Sequence, residues 1–227
     1  MTIDDATLAT APDPARELAA AGIELTDAGL SPGSSGNASV RIGTEMWISP
    51  SGVRLGQLDP AAMSRISLDE SSWGEHLGGP TPSKEVPLHL AMYQREASTT
   101  CVVHLHSPAC VALACLPPWT ATNALAPLTP YPVMRLGQVP LIAYAPPGDP
   151  RQAQDVAEWD RPFRAALLGN HGSLVAGEEV RTAVERTLEL EDAARLDVTT
   201  RHLPDRVLLD TDQIAELVHR YRSPWTF

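Results

Sequence analysis

The 227-residue sequence predicts a single α/β domain in which helices cover a sheet with mixed or antiparallel pairing. The length and the apolar fraction allow one substantial hydrophobic core. Strand and helix patterns interleave along the chain, and short hairpins occur among them, which argues against a purely parallel sheet. Residues 1–12 lack apolar periodicity, so we expect a flexible N-terminus followed by one domain over residues 13–227.

In the N-terminal half, residues that begin or end an element separate the periodic patterns. Pro14 suits the first turn of a helix, and Gly29 suits the position just after its end. The loops 31–37 and 49–52 are rich in small and polar residues that favour turns. Ser83 suits the N-cap of a second helix. The predicted elements are a helix from 14, a hairpin of 38–42 and 46–49, a strand at 65–68 and a helix from 83.

In the C-terminal half, a proline-rich segment separates two groups of elements. The segment 117–150 carries many of the 21 prolines and little periodicity, and connections of this length often serve function. The predicted elements are a strand at 101–106, a helix at 108–116, a strand at 139–144, paired strands at 165–168 and 173–176, an amphipathic helix from 178 and a final helix at 210–222.

The composition argues against two classes of partner. The formal charge of −11 repels nucleic acid and anionic membranes, so we expect neither. No stretch approaches the roughly 20 apolar residues that cross a bilayer, and no signal-peptide pattern is visible, which predicts a cytoplasmic protein. Cys101, Cys110 and Cys115 are odd in number and lie in apolar sequence, which favours small buried side chains over disulfides.

Three histidines have the pattern of a metal site. His104 and His106 are one residue apart in a predicted strand, so both imidazoles point to the same side. One histidine alone is usually just accommodated in the fold, but two on one apolar face are hard to bury without a shared partner. His171 lies in a tight turn between two apolar strands. Three imidazoles with an open fourth position predict one catalytic zinc per chain, although manganese and cobalt bind the same ligands.

Glu85 and three small-residue loops have weaker local signals. An acid in the first turn of a helix is favoured by the helix dipole, and on local sequence this is the simpler interpretation of Glu85. The loops 34–37, 49–52 and 81–84 offer backbone N–H groups and short donors that suit a phosphate. Each loop alone is as typical of an ordinary turn.

Five short runs follow one another along the chain: GNAS at 36–39, SPSG at 49–52, SKE at 83–85 with His89 and Tyr93, VHLHSP at 103–108 and NHG at 170–172. Taken together, they resemble the class II aldolases of the fuculose-phosphate aldolase and ribulose-phosphate 4-epimerase type. The resemblance covers residues 14–200 and implies a three-layer α/β/α sandwich around a mostly antiparallel sheet. It also implies a homotetramer with active sites at subunit contacts.

The same resemblance implies roles for individual residues. Zinc would bind His104, His106 and His171, and Glu85 would be the acid/base and an occasional fourth ligand. Tyr131 is a candidate catalytic residue from a neighbouring subunit, although a packed loop aromatic is an equal alternative. The residues that would hold the substrate phosphate are Gly36, Asn37, Ser51, Gly52 and Ser83.

Several features resemble the 3-oxo-tetronate 4-phosphate decarboxylase branch of this family. Lys84 stands where the aldolases commonly have a second serine, and the segments 128–134 and 146–150 are similar to that branch. We include Lys84 in the predicted phosphate site. It is otherwise either a solvated surface charge or a cation that orients a substrate carboxylate.

The predicted substrate is therefore a small phosphorylated sugar acid. A 3-oxo-tetronate 4-phosphate would lose carbon dioxide through a metal-stabilised enediolate and become dihydroxyacetone phosphate. The alternative is aldol cleavage of a ketose phosphate, which leaves the same enediolate and an aldehyde. An inactive adducin-like binding module would not need three histidines and Glu85, and a zinc hydrolase has no supporting motif beyond the metal.

Overall fold

A computed structural model of the protein describes residues 13–227, so the expected flexible segment 1–12 lies outside the described residues. The strands are β1 (Asn37–Ile42), β2 (Glu45–Ile48), β3 (Ser64–Ser67), β4 (His76–Gly78), β5 (Cys101–Leu105), β6 (Leu141–Ile142), β7 (Ala165–Leu168) and β8 (Gly172–Gly177). The helices are α1 (Pro14–Asp27), α2 (Val86–Arg95), α3 (Pro108–Ala114), α4 (Pro130–Arg135), α5 (Pro150–Glu158), α6 (Val180–Thr200) and α7 (Thr211–Tyr221). Short 3-10 turns occur at Leu55–Gln57 and Glu70–Ser72.

The strands form one sheet in the order β4-β3-β2-β1-β5-β8-β7-β6. Every neighbouring pair is antiparallel except β6 with β7, which is parallel. The predicted α/β fold and the predominance of antiparallel pairing are therefore confirmed. Because β1 and β8 flank β5, the strand that carries His104 lies between the strand that begins at Asn37 and the strand that follows the turn at His171.

Alternate side chains of β5 enter different parts of the core. Cys101, Val103 and Leu105 pack with apolar residues of α1 and α6. Val102 packs with residues of α2 and α5. This is the period of two expected for a strand buried on both faces, and it places helices against both sides of the central strand. No helix of the described residues is long and apolar enough to span a membrane.

Helix α2 begins later than the sequence pattern predicts. Glu85, not Ser83, occupies the N-cap position, and the Ser83 hydroxyl accepts a hydrogen bond from the Glu85 N–H at 3.2 Å. The reason is Pro87, because a helix capped at Ser83 would need an N–H at position 87 for its first backbone hydrogen bond. Proline has none, so the helix begins at Val86 and Pro87 lies within its first turn.

The proline-rich segment contains more helix than its periodicity indicates. The strand predicted at 139–144 is reduced to Leu141–Ile142, and helices α4 and α5 were not predicted. Both begin with a proline, which is favoured at the first helical position, and Asp149 caps α5 by accepting the Arg151 N–H at 2.9 Å. Strand β4 was also missed, because it has only three residues.

The predicted starts of the first and last helices are confirmed to within a few residues. Helix α1 starts at Pro14, and α7 starts with a capping box in which Asp210 and Gln213 exchange side-chain and backbone hydrogen bonds. The cysteine prediction is confirmed for Cys101 and Cys110 but wrong for Cys115, which is exposed at the end of α3 because the helix terminates there.

Candidate metal centre

Four side chains converge where β5 ends. Glu85, His104, His106 and His171 each offer one ligand atom, and these atoms all lie within 4.8 Å of one another. His104 is near the end of β5, and His106 follows the strand. The antiparallel pairing of β5 with β8 brings His171, in the turn before β8, to the same edge of the sheet. The structure therefore brings together the three predicted histidines and Glu85.

The distances within the cluster are those of groups that share one partner. The Nε2 atoms of His104 and His106 are 3.0 Å apart. The carboxylate of Glu85 lies between the rings of His104 and His171, with Oε2 3.1 Å from His104 Nε2 and Oε1 3.1 Å from His171 Nε2. All but His106 are buried.

The tautomers of two histidines follow from their outer hydrogen bonds. His104 Nδ1 lies 2.8 Å from the Ser173 carbonyl oxygen, which can only accept, so Nδ1 carries a proton, and in the neutral ring Nε2 has the lone pair. His171 Nδ1 makes a longer contact of 3.4 Å with Gln152 Oε1, whose amide nitrogen is bound to the Ala143 carbonyl. This contact indicates the same tautomer for His171. Outer hydrogen bonds of this kind orient histidine ligands at metal sites.

The inner face of the cluster consequently has lone pairs and few protons. His171 Nε2 is buried without a hydrogen-bond partner, and its contact with Glu85 Oε1 joins two acceptors. Such an arrangement is repulsive unless a proton or a metal ion lies between the two atoms. Imidazole nitrogens and one carboxylate oxygen are suitable ligands for a divalent ion such as zinc, so the residues fit a bound metal.

The electrostatics of the site also suit a cation. Burial opposes ionisation of Glu85, but its contacts with His104, His171 and the Asn37 amide outweigh burial and hold the pKa of its carboxyl well below the usual value. Burial, followed by the charges of His104 and His171, lowers the pKa of His106 to about 4. His106 is therefore a neutral imidazole near pH 7, which is the form that binds a metal.

The predicted phosphate loops lie beside this cluster. An isolated bridge pairs Pro50 with Pro82, and the Ser51 N–H donates to the Thr81 carbonyl at 3.0 Å, so the loops containing Ser51 and Ser83 are neighbours. The Ser83 hydroxyl contacts the Glu85 N–H. Gly52 has a φ of +78°, and a side chain added there would meet no atom within 4 Å. This position faces open space.

Gly36 and Asn37 connect the third loop to the cluster of Glu85 and the three histidines. Gly36 has a φ of +91°, and a Cβ atom there would lie 2.9 Å from the His104 carbonyl oxygen, so the close approach requires glycine. Asn37 Nδ2 donates to Glu85 Oε2 at 2.7 Å. Because an amide carries two hydrogens, Asn37 retains one for a ligand.

Two other predicted site residues have different surroundings. Lys84 packs beside Gly148, since its Cβ atom lies 3.6 Å from where a side chain of Gly148 would begin. Tyr131 is 55% exposed on α4, with its ring 5.7 Å from the Arg135 guanidinium. No hydrogen bond within the described part of the chain joins Tyr131 to Glu85 or the three histidines.

The outer contacts of the cluster include groups that sequence reasoning missed. The Ser173 carbonyl and the Gln152 side chain orient two of the histidines. A backbone carbonyl has no signal in a sequence, and Gln152 lies in a short helix that was not predicted. His89 was noted in one of the motif runs but given no role, and it lies within hydrogen-bond distance of Asn37.

The chain is similar to known proteins over most of its length. The family described as Class II Aldolase and Adducin N-terminal domain matches residues 16–198. The 3-oxo-tetronate 4-phosphate decarboxylase of Escherichia coli strain K12 is 43% identical over 190 residues, which are 83% of this chain and 87% of that protein. The L-fuculose phosphate aldolase of the same strain is 29% identical over 212 residues, covering 92% of this chain and 94% of that protein.

A solved structure has the same overall fold. YgbL from Escherichia coli, described as a candidate aldolase, epimerase or decarboxylase, superposes with a TM-score of 0.83 at 39% sequence identity. The superposition covers 89% of this chain and 96% of YgbL.

Proposed function

Because this chain belongs to the class II aldolase and adducin N-terminal domain family, we propose that it is a metal-dependent carbon–carbon lyase. Its substrate is a 3-oxo-tetronate 4-phosphate, and its products are carbon dioxide and dihydroxyacetone phosphate. The observation that carries the proposal is the convergence of Glu85 with three histidines in a chain 43% identical to such a decarboxylase. In an inactive binding module, buried lone pairs that face one another would cost stability and serve no function.

The reaction requires a place for the electron pair that remains when carbon dioxide leaves. The C1–C2 bond breaks, the pair is delocalised onto the C3 carbonyl oxygen, and a proton must then reach C2. A bound divalent ion supplies Lewis-acid stabilisation of that developing charge. His104, His106 and His171 would hold the ion, and Glu85 would carry the proton to C2, since it is the only carboxylate of the cluster.

Substrate binding is assigned to the loops beside the cluster. Backbone N–H groups and hydroxyls at Gly36, Ser51, Gly52 and Ser83, with the second amide hydrogen of Asn37, would hold the phosphate. Lys84, next to these loops, would contribute its charge to the phosphate or orient the substrate carboxylate. Its neighbour Gly148 belongs to the segment that resembles the decarboxylase branch.

The assay must separate decarboxylation from aldol cleavage, because the 29% identity to an L-fuculose phosphate aldolase favours the latter as the second candidate. Both epimers of 3-oxo-tetronate 4-phosphate are incubated with the enzyme, and carbon dioxide and dihydroxyacetone phosphate are measured together. A parallel reaction contains dihydroxyacetone phosphate and short aldehydes. We expect equal amounts of the two decarboxylation products. Aldol condensation without decarboxylation of either epimer would assign the enzyme to the aldolases instead.

We further propose that the ion is zinc and that one binds per chain. Three imidazoles with one carboxylate suit zinc, and manganese or cobalt would bind the same atoms. Elemental analysis of protein purified without added metal should give about one zinc per chain, the stoichiometry of a single three-histidine site. If activity instead follows the manganese or cobalt content of the preparation, the assignment of the metal changes but that of the ligands does not.

The single domain over 13–227 is proposed to have the three-layer α/β/α arrangement and to assemble as a homotetramer. Helices on both sides of β5 support the layers. The exposure of Tyr131 supports a role in a neighbouring active site, because a half-exposed tyrosine is available to another chain. Light scattering should report about four chains, as the family resemblance implies. Tyr131→Phe should lower turnover without changing the assembly, and a fully active monomer would contradict both proposals.

A further inference from the structure

A line of buried polar side chains leads away from Glu85 between β1 and α2. Asn37 and Ser39 lie on one face of β1, and His89 and Tyr93 follow Glu85 at intervals of four residues along one face of α2. Each of the four has at most 5% of its surface exposed. Burying polar groups costs free energy unless their hydrogen bonds are complete.

The direction of every hydrogen bond in this line is determined by chemistry. The Glu85 carboxylate only accepts, so Asn37 Nδ2 faces it and Asn37 Oδ1 faces away. Oδ1 also only accepts, so His89 Nε2, at 2.6 Å, must carry the proton and donate. His89 Nδ1 then has a lone pair, which accepts from the Ser39 hydroxyl at 2.8 Å.

The hydrogen bonds at the far end of the line, at Ser39 and Tyr93, have the same direction. The Ser39 hydroxyl uses its only hydrogen in the bond that it donates to His89, so its oxygen accepts from the Tyr93 hydroxyl at 2.9 Å. Burial lowers the pKa of His89 to about 3, so this ring is neutral and has a single N–H. Hydrogen bonds that all run in one direction polarise one another, and here each of them donates toward Glu85.

We propose that Ser39 and His89 are positioning residues that act on Glu85 through Asn37. Ser39 selects the His89 tautomer, His89 fixes the orientation of the Asn37 amide, and Asn37 holds the Glu85 carboxylate against the metal ligands. Without this line the amide can turn over and present its oxygen to the carboxylate. The effect on catalysis rests on the proposed function, but the effect on metal binding does not.

Two substitutions at His89 separate hydrogen bonding from packing. His89→Leu fills the space but removes the donor. His89→Gln keeps an N–H at the position of Nε2. Outer partners of metal ligands typically contribute 10- to 100-fold to metal affinity or activity. We therefore expect His89→Leu to lower kcat roughly 10- to 100-fold with KM nearly unchanged and to weaken zinc binding in chelator competition, while His89→Gln recovers most of both.

A double-substitution cycle with Asn37 tests the route of the effect. If His89 acts through Asn37, then adding His89→Leu to an Asn37→Ala enzyme causes little further loss of kcat or zinc affinity. Losses should also decrease along the line, in the order Asn37→Ala, His89→Leu, Ser39→Ala, Tyr93→Phe. If His89→Leu does not fold, Ser39→Ala and His89→Gln provide the same comparison with smaller cavities.

Three results would overturn the proposal: equal losses in His89→Leu and His89→Gln, additive losses in the cycle, or a larger loss from Tyr93→Phe than from Ser39→Ala. Zinc affinity is measured in the absence of substrate, so it reports on the line even when the reaction is different. Absence of decarboxylation in the unsubstituted enzyme would defeat the proposed function alone.

Discussion

Two buried carboxylates of this protein, Asp197 and Glu85, have opposite surroundings. Asp197, in α6, is fully buried and accepts hydrogen bonds on both oxygens. Oδ2 binds the Ala126 N–H at 3.0 Å and Arg201 at 2.8 Å, and Oδ1 binds Arg206 at 2.8 Å. Glu85 instead receives one amide hydrogen bond and lies 3.1 Å from two imidazole nitrogens.

The difference is that between a carboxylate paired within the protein and one in a group that could hold a metal ion. Around Asp197 the protein itself supplies two cations and a backbone donor, so the acid ties α6 to the proline-rich segment at Ala126. Around Glu85 the described part of the chain supplies one amide donor and two imidazoles but no arginine or lysine ion pair, so a bound metal ion would supply the compensating charge. Four predictions test whether the two carboxylates differ in this way.

The largest effect is expected from removing two metal ligands. In His104→Ala with His106→Ala, zinc content should fall to background and turnover by about 1,000-fold or more, since Lewis-acid stabilisation contributes several kcal/mol. Elemental analysis and the decarboxylation assay measure both. His219→Ala, at an exposed position on α7, is the control and should retain zinc and activity. Full zinc content in the double variant would mean that the ion binds elsewhere.

The next largest effect concerns Asp197 and acts on stability alone. Asp197→Asn leaves two guanidinium groups without their anion, and breaking a buried ion pair typically costs about 3 kcal/mol. Urea denaturation should show that loss, while zinc content stays at the level of the unsubstituted protein. The matched control is Asp192→Asn, also on α6, whose side chain is 72% exposed. Loss of zinc from the Asp197 variant would show that the two regions are coupled.

A smaller effect is expected when the charge of Glu85 is removed. Glu85→Gln keeps the size of the side chain but cannot carry a proton, so turnover should fall by roughly 100-fold while three histidines retain most of the zinc. Glu96→Gln, at the exposed end of α2, is the control. Undiminished turnover would return Glu85 to the role of an acid at a helix N-terminus.

The smallest effect is a pH dependence that belongs to Asp197. Burial disfavours its charge, but hydrogen bonds from Arg201, the Ala126 N–H and Arg206 outweigh burial and lower the pKa of Asp197 below the ordinary value of 3.8. A carboxyl with a lowered folded-state pKa contributes stability above its unfolded-state pKa and loses it as the pH falls through the folded-state value.

The free energy of unfolding should therefore decrease below about pH 4, and more steeply in the unsubstituted protein than in Asp197→Asn. Urea midpoints over a series of acidic pH values measure both slopes. Acid would also release a bound metal, but from both proteins alike, so the difference between the slopes isolates Asp197. Parallel slopes would remove Asp197 as the titrating group.

The regular elements with complete patterns were predictable from the sequence. Pro14, the turn at Gly43 and the Asp210 capping box each mark a boundary by a rule that depends on a few adjacent residues. The predicted start of α2 at Ser83 is wrong. A helix capped at Ser83 needs a backbone N–H at position 87, and Pro87 has none. Helices α4 and α5 were missed because six and nine residues are too few for a clear period.

For the candidate metal centre, the three histidines could be predicted from the sequence. The spacing of His104 and His106 and the turn at His171 follow from local backbone geometry, which a few neighbouring residues control. The tautomers and the orientation of the carboxylate depend on the tertiary structure. The contacts of Asn37 with Glu85 and His89, and of Gln152 with His171, join different elements. These contacts form only when α2 and α5 pack against the sheet that contains β1. Burial of apolar surface drives this packing, and no local sequence pattern shows which polar groups it will bring together.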